Sequence, residues 1–211
     1  NSIGGGEGSQ PQNNFCRACD RGNSGQDVRH TITSNWVYSL PFGPGQRYLS
    51  SGFASHVLGG WETSGIWTAR TGRMLTVTIA RSSADVPDGN TSAQRPDLVG
   101  GVSVYPTGGP TFAQWLNPAA FATPPQFTFG NVAYRTPWLR NPGMNNWNLT
   151  LTKTFPVTEK LKLNLRASSF NLMNHPIFST PDLSPTSSTF GKVLNQENLP
   201  RRIQMALRLS W

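Results

Sequence analysis

Residues that usually carry chemistry are scarce in this chain. It has two cysteines, three histidines and ten acidic residues among 211. No nucleophile, base and carboxylate fall into a recognisable constellation, and no G-x-S-x-G turn occurs, so an enzyme is not expected. Neither a cofactor nor a resident metal is expected, because His30, His56 and His175 show no ligand spacing and the lone Cys16-x-x-Cys19 has no second pair. In an oxidising compartment the expected fate of Cys16 and Cys19 is a local loop disulfide. Asp85 to Asn90 carries calcium-like oxygen ligands but lacks the closing bidentate glutamate, so it reads as a turn. Long apolar runs are also missing. Nothing approaches the ~20 residues of a membrane helix, so any membrane contact must be made by strands. A signal peptide is absent, yet the chain starts at Asn1 rather than Met. That reads as a fragment or processed product whose targeting segment is missing.

Charge is sparse too, at 13% of residues, but it is one-sided: 18 basic against 10 acidic gives +8. The basic residues are scattered, with only Arg201 and Arg202 adjacent, and no nucleic-acid-binding signature accompanies them. Nucleic acid is therefore not expected as a partner. Anionic lipopolysaccharide or an anionic solute suits such charge at least as well.

What the chain does have is glycine, proline, and 7 Trp, 11 Phe and 4 Tyr. That is a composition for strands joined by long loops. From Arg202 to Trp211 apolar and polar residues alternate without a break. Ile203, Met205, Leu207, Leu209 and Trp211 fall on one face. Its length is about the ~9–11 residues of a tilted transmembrane strand, and its last residue is an aromatic of the kind favoured at membrane boundaries. Four more segments alternate in the same way: Arg29 to Leu40, Trp61 to about Thr71, Trp147 to Phe155 and Leu161 to Met173. Met74 to Ile79 resumes strand-like alternation. The apolar faces carry Trp36, Tyr38, Trp61, Trp67, Trp147, Phe155 and Trp211; Glu62, Arg70, Lys162, Arg166 and Arg208 fall on the opposite faces.

The connections differ in kind. Pro156 to Lys160 is a tight turn, while the 80–146 and 175–200 segments are long and rich in proline and glycine. Short turns at one end of the strands and long loops at the other are the pattern of an outer-membrane barrel. The connector from Pro41 to Leu58 falls on the short-turn side and is longer than usual there. The expected architecture is all-β: an antiparallel transmembrane β-barrel segment of about five strands with long extracellular loops, an incomplete barrel. Residues 1–28 are expected to be a mobile linker carrying the CxxC motif, and residues 29–211 the barrel segment, including the long loop 80–146. The reading from another class is a secreted β-sandwich adhesin or carbohydrate-binding module that uses exposed tryptophans as stacking platforms. A five-stranded fragment that multimerises to close its open edges is a third.

Specific motifs favour the barrel. D-V-R-H before an aromatic strand ending L-P-F-G, L-G-G-W-x-x-S-G-I with T-G-R after it, W-L-N-P-A-A-F and F-G-N-V follow in order. R-N-P-G-M-N-N-W-N-L-T-L-T-K-T-F, L-N-L-R-A-S-S-F-N-L-M-N-H-P-I-F and the final R-R-I-Q-M-A-L-R-L-S-W complete the series. In order and spacing they resemble the C-terminal barrel of TonB-dependent receptors of the Oar-like type, over nearly all of the chain from about Asn14. Asn148 stands where that family usually has Asp. The resemblance implies a bacterial outer-membrane location. It also implies a 22-stranded barrel, a plug bearing the TonB contact and an N-terminal carboxypeptidase-regulatory-like domain, of which only the barrel's last part is represented here. The partners implied are outer-membrane lipid and lipopolysaccharide, the rest of the barrel and its plug, and TonB through the missing N-terminal part. In this frame Ile203, Met205, Leu207, Leu209 and Trp211 face lipid, and the terminal aromatic is an assembly signal. Glu62, Arg70, Lys162, Arg166 and Arg208 face the lumen. Trp115, Phe121, Tyr134 and Trp138 are loop candidates for meeting an extracellular ligand. The segment would be wall and loops of a receptor for a large or scarce solute, and would not transport by itself.

Overall fold

Period-two patterning over five segments builds one antiparallel sheet, and the non-periodic remainder folds separately. The computed structural model describes residues 11–211. In chain order the elements are β1 (Thr31–Ser39), α1 (Phe53–Leu58), β2 (Trp61–Arg70), β3 (Asp97–Leu98), β4 (Phe121–Ala122), β5 (Met144–Pro156), β6 (Lys162–Phe170) and β7 (Arg202–Ser210). Two short 3-10 turns, Arg17–Asp20 and Pro118–Ala120, complete them. No described helix is long and apolar enough to cross a membrane.

The large sheet runs β1-β2-β5-β6-β7, and every neighbouring pair is antiparallel. These five strands are the five that alternation marks, with ends shifted by a residue or more. Residues opposite one another share a face, so the register sorts the side chains. One row reads Tyr38, Thr63, Leu151, Ala167 and Met205; the next toward the strand ends at Trp61 reads Lys153, Leu165 and Leu207. A one-residue slip in any strand would send its apolar set to the polar face, so the pattern itself fixes this register. Among the described residues, the outer edges of β1 and β7 have no partner strand.

The chain divides into two compact units. The sheet unit comprises His30–Arg70, Met144–Ile177 and Glu197–Trp211; the loop unit gathers the described residues up to Arg29 with Thr71–Gly143 and Phe178–Gln196. This division differs from the linear one expected from sequence. From residue 11 onward the supposed linker is built into the loop unit: the Gln12 side-chain amide donates to the Gly130 carbonyl at 3.1 Å, and Arg95 pairs with Asp20 at 2.5 Å. Residues 1–10 of that expected linker lie outside the described residues.

The loop unit has its own core, in which Leu75, Val77, Leu116, Phe121, Leu139 and Phe190 are buried. The segment Met74–Ile79 belongs here and is not a regular strand. Its alternation is real, since Leu75, Val77 and Ile79 are all buried. Its backbone partners, however, are single carbonyls of irregular segments: Leu75 N–H donates to Leu139 O at 2.9 Å and Ile79 N–H to Gln94 O at 2.8 Å. Cys16 and Cys19 are joined in a disulfide across the Arg17–Asp20 turn. Asp85 and Asp88 are engaged by protein donors, Gln126 Nε2 at 3.1 Å and Asn90 N–H at 3.0 Å.

One glycine in the sheet is fixed by what covers it. A Cβ on Gly65 would run into the Trp36 ring, which lies over it from the neighbouring strand. Gly65→Ala is expected to cost about 1–3 kcal/mol through overpacking and to push Trp36 away from Trp147. Denaturant titration followed by tryptophan fluorescence measures both effects.

Candidate functional site: a membrane-facing wall

The site is a surface rather than a pocket. On one face of the sheet stand Leu149, Leu151, Leu165, Ala167, Met205 and Leu207, in rows fixed by the strand register. Of the five residues expected to face lipid, Ile203, Met205, Leu207 and Leu209 are half or more exposed, and Trp211 is 92% exposed. Aqueous solvent would penalise so large a contiguous apolar face, and such faces mark interaction surfaces or lipid contact.

Aromatics bracket this band. Toward the Arg70 and Met144 ends, Trp67 stacks on Trp147 with ring centroids 5.1 Å apart, and Trp36 meets Trp147 edge-on at 6.2 Å. The Trp67 indole donates to Asn145 Oδ1 at 2.8 Å, so its polar edge is satisfied. Toward the opposite strand ends stand Trp61 and Phe155, and Trp211 follows β7, while Tyr38 stands in the row of Leu151. Trp147 and Phe155 are about 26 Å apart along β5 at ~3.3 Å per residue. A tilt of ~40° leaves about 20 Å between their attachment points, to which the rings add their own reach, against an apolar band of ≈ 25 Å in outer-membrane barrels.

The other face is polar and knit across strands. Between β5 and β6 the Thr150 and Ser168 hydroxyls lie 3.0 Å apart and Thr154 donates to Asn164 Oδ1 at 2.8 Å; within β6, Arg166 Nε donates to Ser168 Oγ at 3.3 Å. Glu62, Arg70, Lys162, Arg166 and Arg208 all belong to this face by register. Glu62 accepts from the Ser39 hydroxyl at 3.4 Å. None of the five is in an ion pair among the described residues. The face is therefore net basic. Val37 and Ile66 depart from the pattern: both lie on this polar face and both are exposed.

Lys153 is a residue that sequence reasoning passed over. The alternation of β5 places it in the apolar row, opposite Trp61 and Leu165. Its side chain is only 2% exposed, because the ammonium donates to the carbonyls of His56 and Val57 at 2.8 Å each and to that of Gly59. The Phe155 and Trp61 rings lie 4.9 and 5.5 Å from Nζ. A cation in an apolar row was the signal available, since such a residue must find a partner.

The four loop aromatics are dispersed within the loop unit. Phe121 is a core residue set edge-on against Phe190 at 5.4 Å. Trp115 is partly buried and donates to the Arg140 carbonyl at 2.8 Å. Tyr134 lies under the Arg135 guanidinium at 4.7 Å. Trp138 is 44% exposed. The structure does not bring them together into one ligand surface.

Concavities occur among the described residues of both units. In the loop unit a cleft of about 720 Å³ is lined by Asp27, Arg29, Met74, Pro137 and Arg140 among others. In the sheet unit a cavity of about 610 Å³ lies among Asn146, Asn148, Phe170, Asn171, Arg202 and Gln204. The amides beside it are largely consumed in holding the chain: Asn148 accepts from Asn171 N–H at 3.0 Å, and Asn171 donates to Leu199 O at 3.1 Å. In the loop unit, burial pushes the Asp182 carboxyl up, but hydrogen bonds from Ser187, Thr189 and the Ser184 N–H outweigh it and hold the carboxyl below its ordinary value. A depressed folded-state value means stability that is present above the unfolded carboxylate range and lost as pH falls through the lower folded value. Thr189→Val should therefore shift the acid-induced loss of amide protection in 182–192 to higher pH, read by hydrogen exchange.

A family model described as an outer membrane beta barrel domain matches residues 1–204. No curated protein and no solved structure matches the chain. The β-sandwich alternative is set aside by this match together with the topology. Among the described residues the only other sheet has two strands, β3 and β4, of two residues each.

Proposed function

Because the chain belongs to the outer-membrane β-barrel domain family, and so to the bacterial outer membrane, we propose that it forms wall and extracellular loops of a TonB-dependent receptor. The observation that supports this most is the unequal treatment of the two sheet ends. The β5–β6 connection is a tight turn closed by Val157 N–H to Leu161 O at 2.9 Å. The β2–β5 connection, by contrast, runs through Thr71–Gly143 and carries most of a folded unit with its own core. Outer-membrane barrels put short turns in the periplasm and elaborate the outside. In this reading the short-turn end of the sheet, where Trp211 stands, is periplasmic, and the β2–β5 connection is extracellular. The series of motifs from Asp27-Val28-Arg29-His30 to Trp211 adds the receptor class.

In this reading the apolar rows meet lipid and the basic face looks into the lumen. There Arg70, Lys162, Arg166 and Arg208 draw an anionic solute or pair with a plug. Gating and energy input belong to a plug and to TonB, which contacts residues outside this chain. The test uses the full-length product of the gene. After purification from outer membranes it should be closed in planar bilayers and should cross-link to TonB in energised cells. A steady open conductance in the absence of TonB would overturn the receptor assignment while leaving the barrel wall intact.

A further inference from the structure

The connector between β1 and β2 is ordered and apolar at an end where barrels usually spend only a few residues. Tyr48 N–H donates to Pro41 O at 3.1 Å and Gly43 N–H to Tyr48 O at 3.0 Å. Gly43, at φ +109°, packs so closely on Gly59 that a Cβ on either would strike the other's backbone. The connector thus closes on itself and presents α1. On α1, Ser55 is buried while Phe53 is 85% exposed and Val57, one turn on, is also exposed. Tyr48, Leu49 and Leu58 of the same connector are exposed as well.

Which way α1 is carried can be read from its partners. The carbonyls of His56, Val57 and Gly59 receive Lys153, and that of Val57 also receives the Trp61 indole at 3.1 Å. Lys153 and Trp61 both belong to the apolar face of the sheet, with Leu151, Leu165 and Leu207. The C-terminal end of α1 therefore lies on the lipid side of the wall and not on the lumen side. That end of α1 thus adjoins the apolar face at the Trp61 and Lys153 row, and its own apolar side chains Phe53 and Val57 are exposed. Arg47, 5.5 Å from the Tyr48 ring centroid, adds an exposed cation to this patch. An apolar face with Tyr and Arg at its margin is the chemistry of the headgroup boundary.

We propose that the connector 41–60 is an interfacial anchor. It lies outside the barrel in the periplasmic leaflet, with Phe53 and Val57 among phospholipid acyl chains and Arg47 at the phosphates, and Lys153 clamps it there. The clamp explains why a lysine stands in the lipid-facing row: its ammonium is spent on the carbonyl end of α1. The inference rests on the barrel-wall reading and not on the receptor assignment.

The test places a single fluorophore on Phe53→Cys, Val57→Cys or Leu209→Cys in the full-length protein, reconstituted in phosphatidylethanolamine and phosphatidylglycerol vesicles. Quenchers are a nitroxide on the lipid acyl chain and aqueous iodide. The anchor predicts that labels at 53 and 57 lose fluorescence to the lipid nitroxide as strongly as the label at 209, and are spared by iodide. Iodide quenching at 53 and 57, with 209 still lipid-quenched, would overturn the anchor alone; loss of lipid quenching at 209 would bring down the wall itself. Protection from both quenchers together with cross-linked dimers would mean that a second copy covers the patch, and protection seen only in native membranes would mean a periplasmic protein; either overturns the proposal. Lys153→Met is expected to make the 53 label accessible to iodide while leaving 209 in lipid. An unchanged 53 label in that variant would contradict the clamp.

Discussion

Leu151→Arg should destabilise the membrane-inserted protein by about 2–4 kcal/mol, the range for a cation on the lipid face near the bilayer midplane. Leu151 sits midway between Trp147 and Phe155 on β5, and its opposite neighbours Thr63 and Ala167 offer it no carboxylate. An arginine there would have to reach a membrane boundary past one of the aromatic girdles. The adjacent Thr152→Arg is the control. Thr152 faces the other way, opposite Glu62 and Arg166, where water and a carboxylate are at hand. Its replacement should change stability by less than about 1 kcal/mol, the scale of an exposed pair. Folding into vesicles of graded denaturant content measures both. Equal costs at 151 and 152 would mean that the sheet does not separate lipid from water.

The second large effect lies in the loop unit. Asp20→Ala should cost about 3–5 kcal/mol locally, because it strands a buried guanidinium. Arg95 is 4% exposed; it meets Asp20 Oδ1 at 2.5 Å and donates to the Cys19 carbonyl at 3.3 Å. Gly130 packs against the Arg95 backbone so tightly that no Cβ fits between them, and Gln12 N–H donates to the second Asp20 oxygen at 3.1 Å. Removing the carboxylate should loosen the disulfide-closed Arg17–Asp20 turn and the 94–97 and 130–132 segments together. Limited proteolysis and hydrogen exchange in those segments are the measurements. The wall strands, which belong to the other unit, should keep their protection.

The wall was legible because a strand in a half-lipid, half-water setting needs only a period of two, and β1, β2, β5, β6 and β7 all display it. Turn chemistry at Pro156 to Lys160 and the long proline-rich stretches separated a short-turn end of the sheet from a long-loop end. The loop unit was not legible. Its core residues Leu116, Leu139 and Phe190 come from segments distant in sequence and are held by single backbone contacts, such as Trp115 N–H to Gly191 O at 2.6 Å. Such a core has no period to detect. Met74–Ile79 shows the converse error: its alternation reflects burial on one side without a partner strand to make a ladder. Phe121 and Trp138 look alike as loop aromatics in the sequence, yet one is in the core and the other exposed. Lys153 was readable in principle, as a lysine at an apolar register position. What it pairs with was not, because the carbonyl end of a six-residue helix leaves no composition signal.

The terminal strand is where a lipid-facing wall can be read residue by residue. Each residue from 202 to 210 is replaced singly by cysteine, labelled, and the protein assembled in vesicles with a nitroxide on the lipid chains. A lipid-facing wall predicts strict alternation: labels at 203, 205, 207 and 209 quenched by lipid, and those at 202, 204, 206, 208 and 210 quenched by aqueous iodide. Uniform aqueous quenching, or the opposite phase, would contradict a lipid-facing wall.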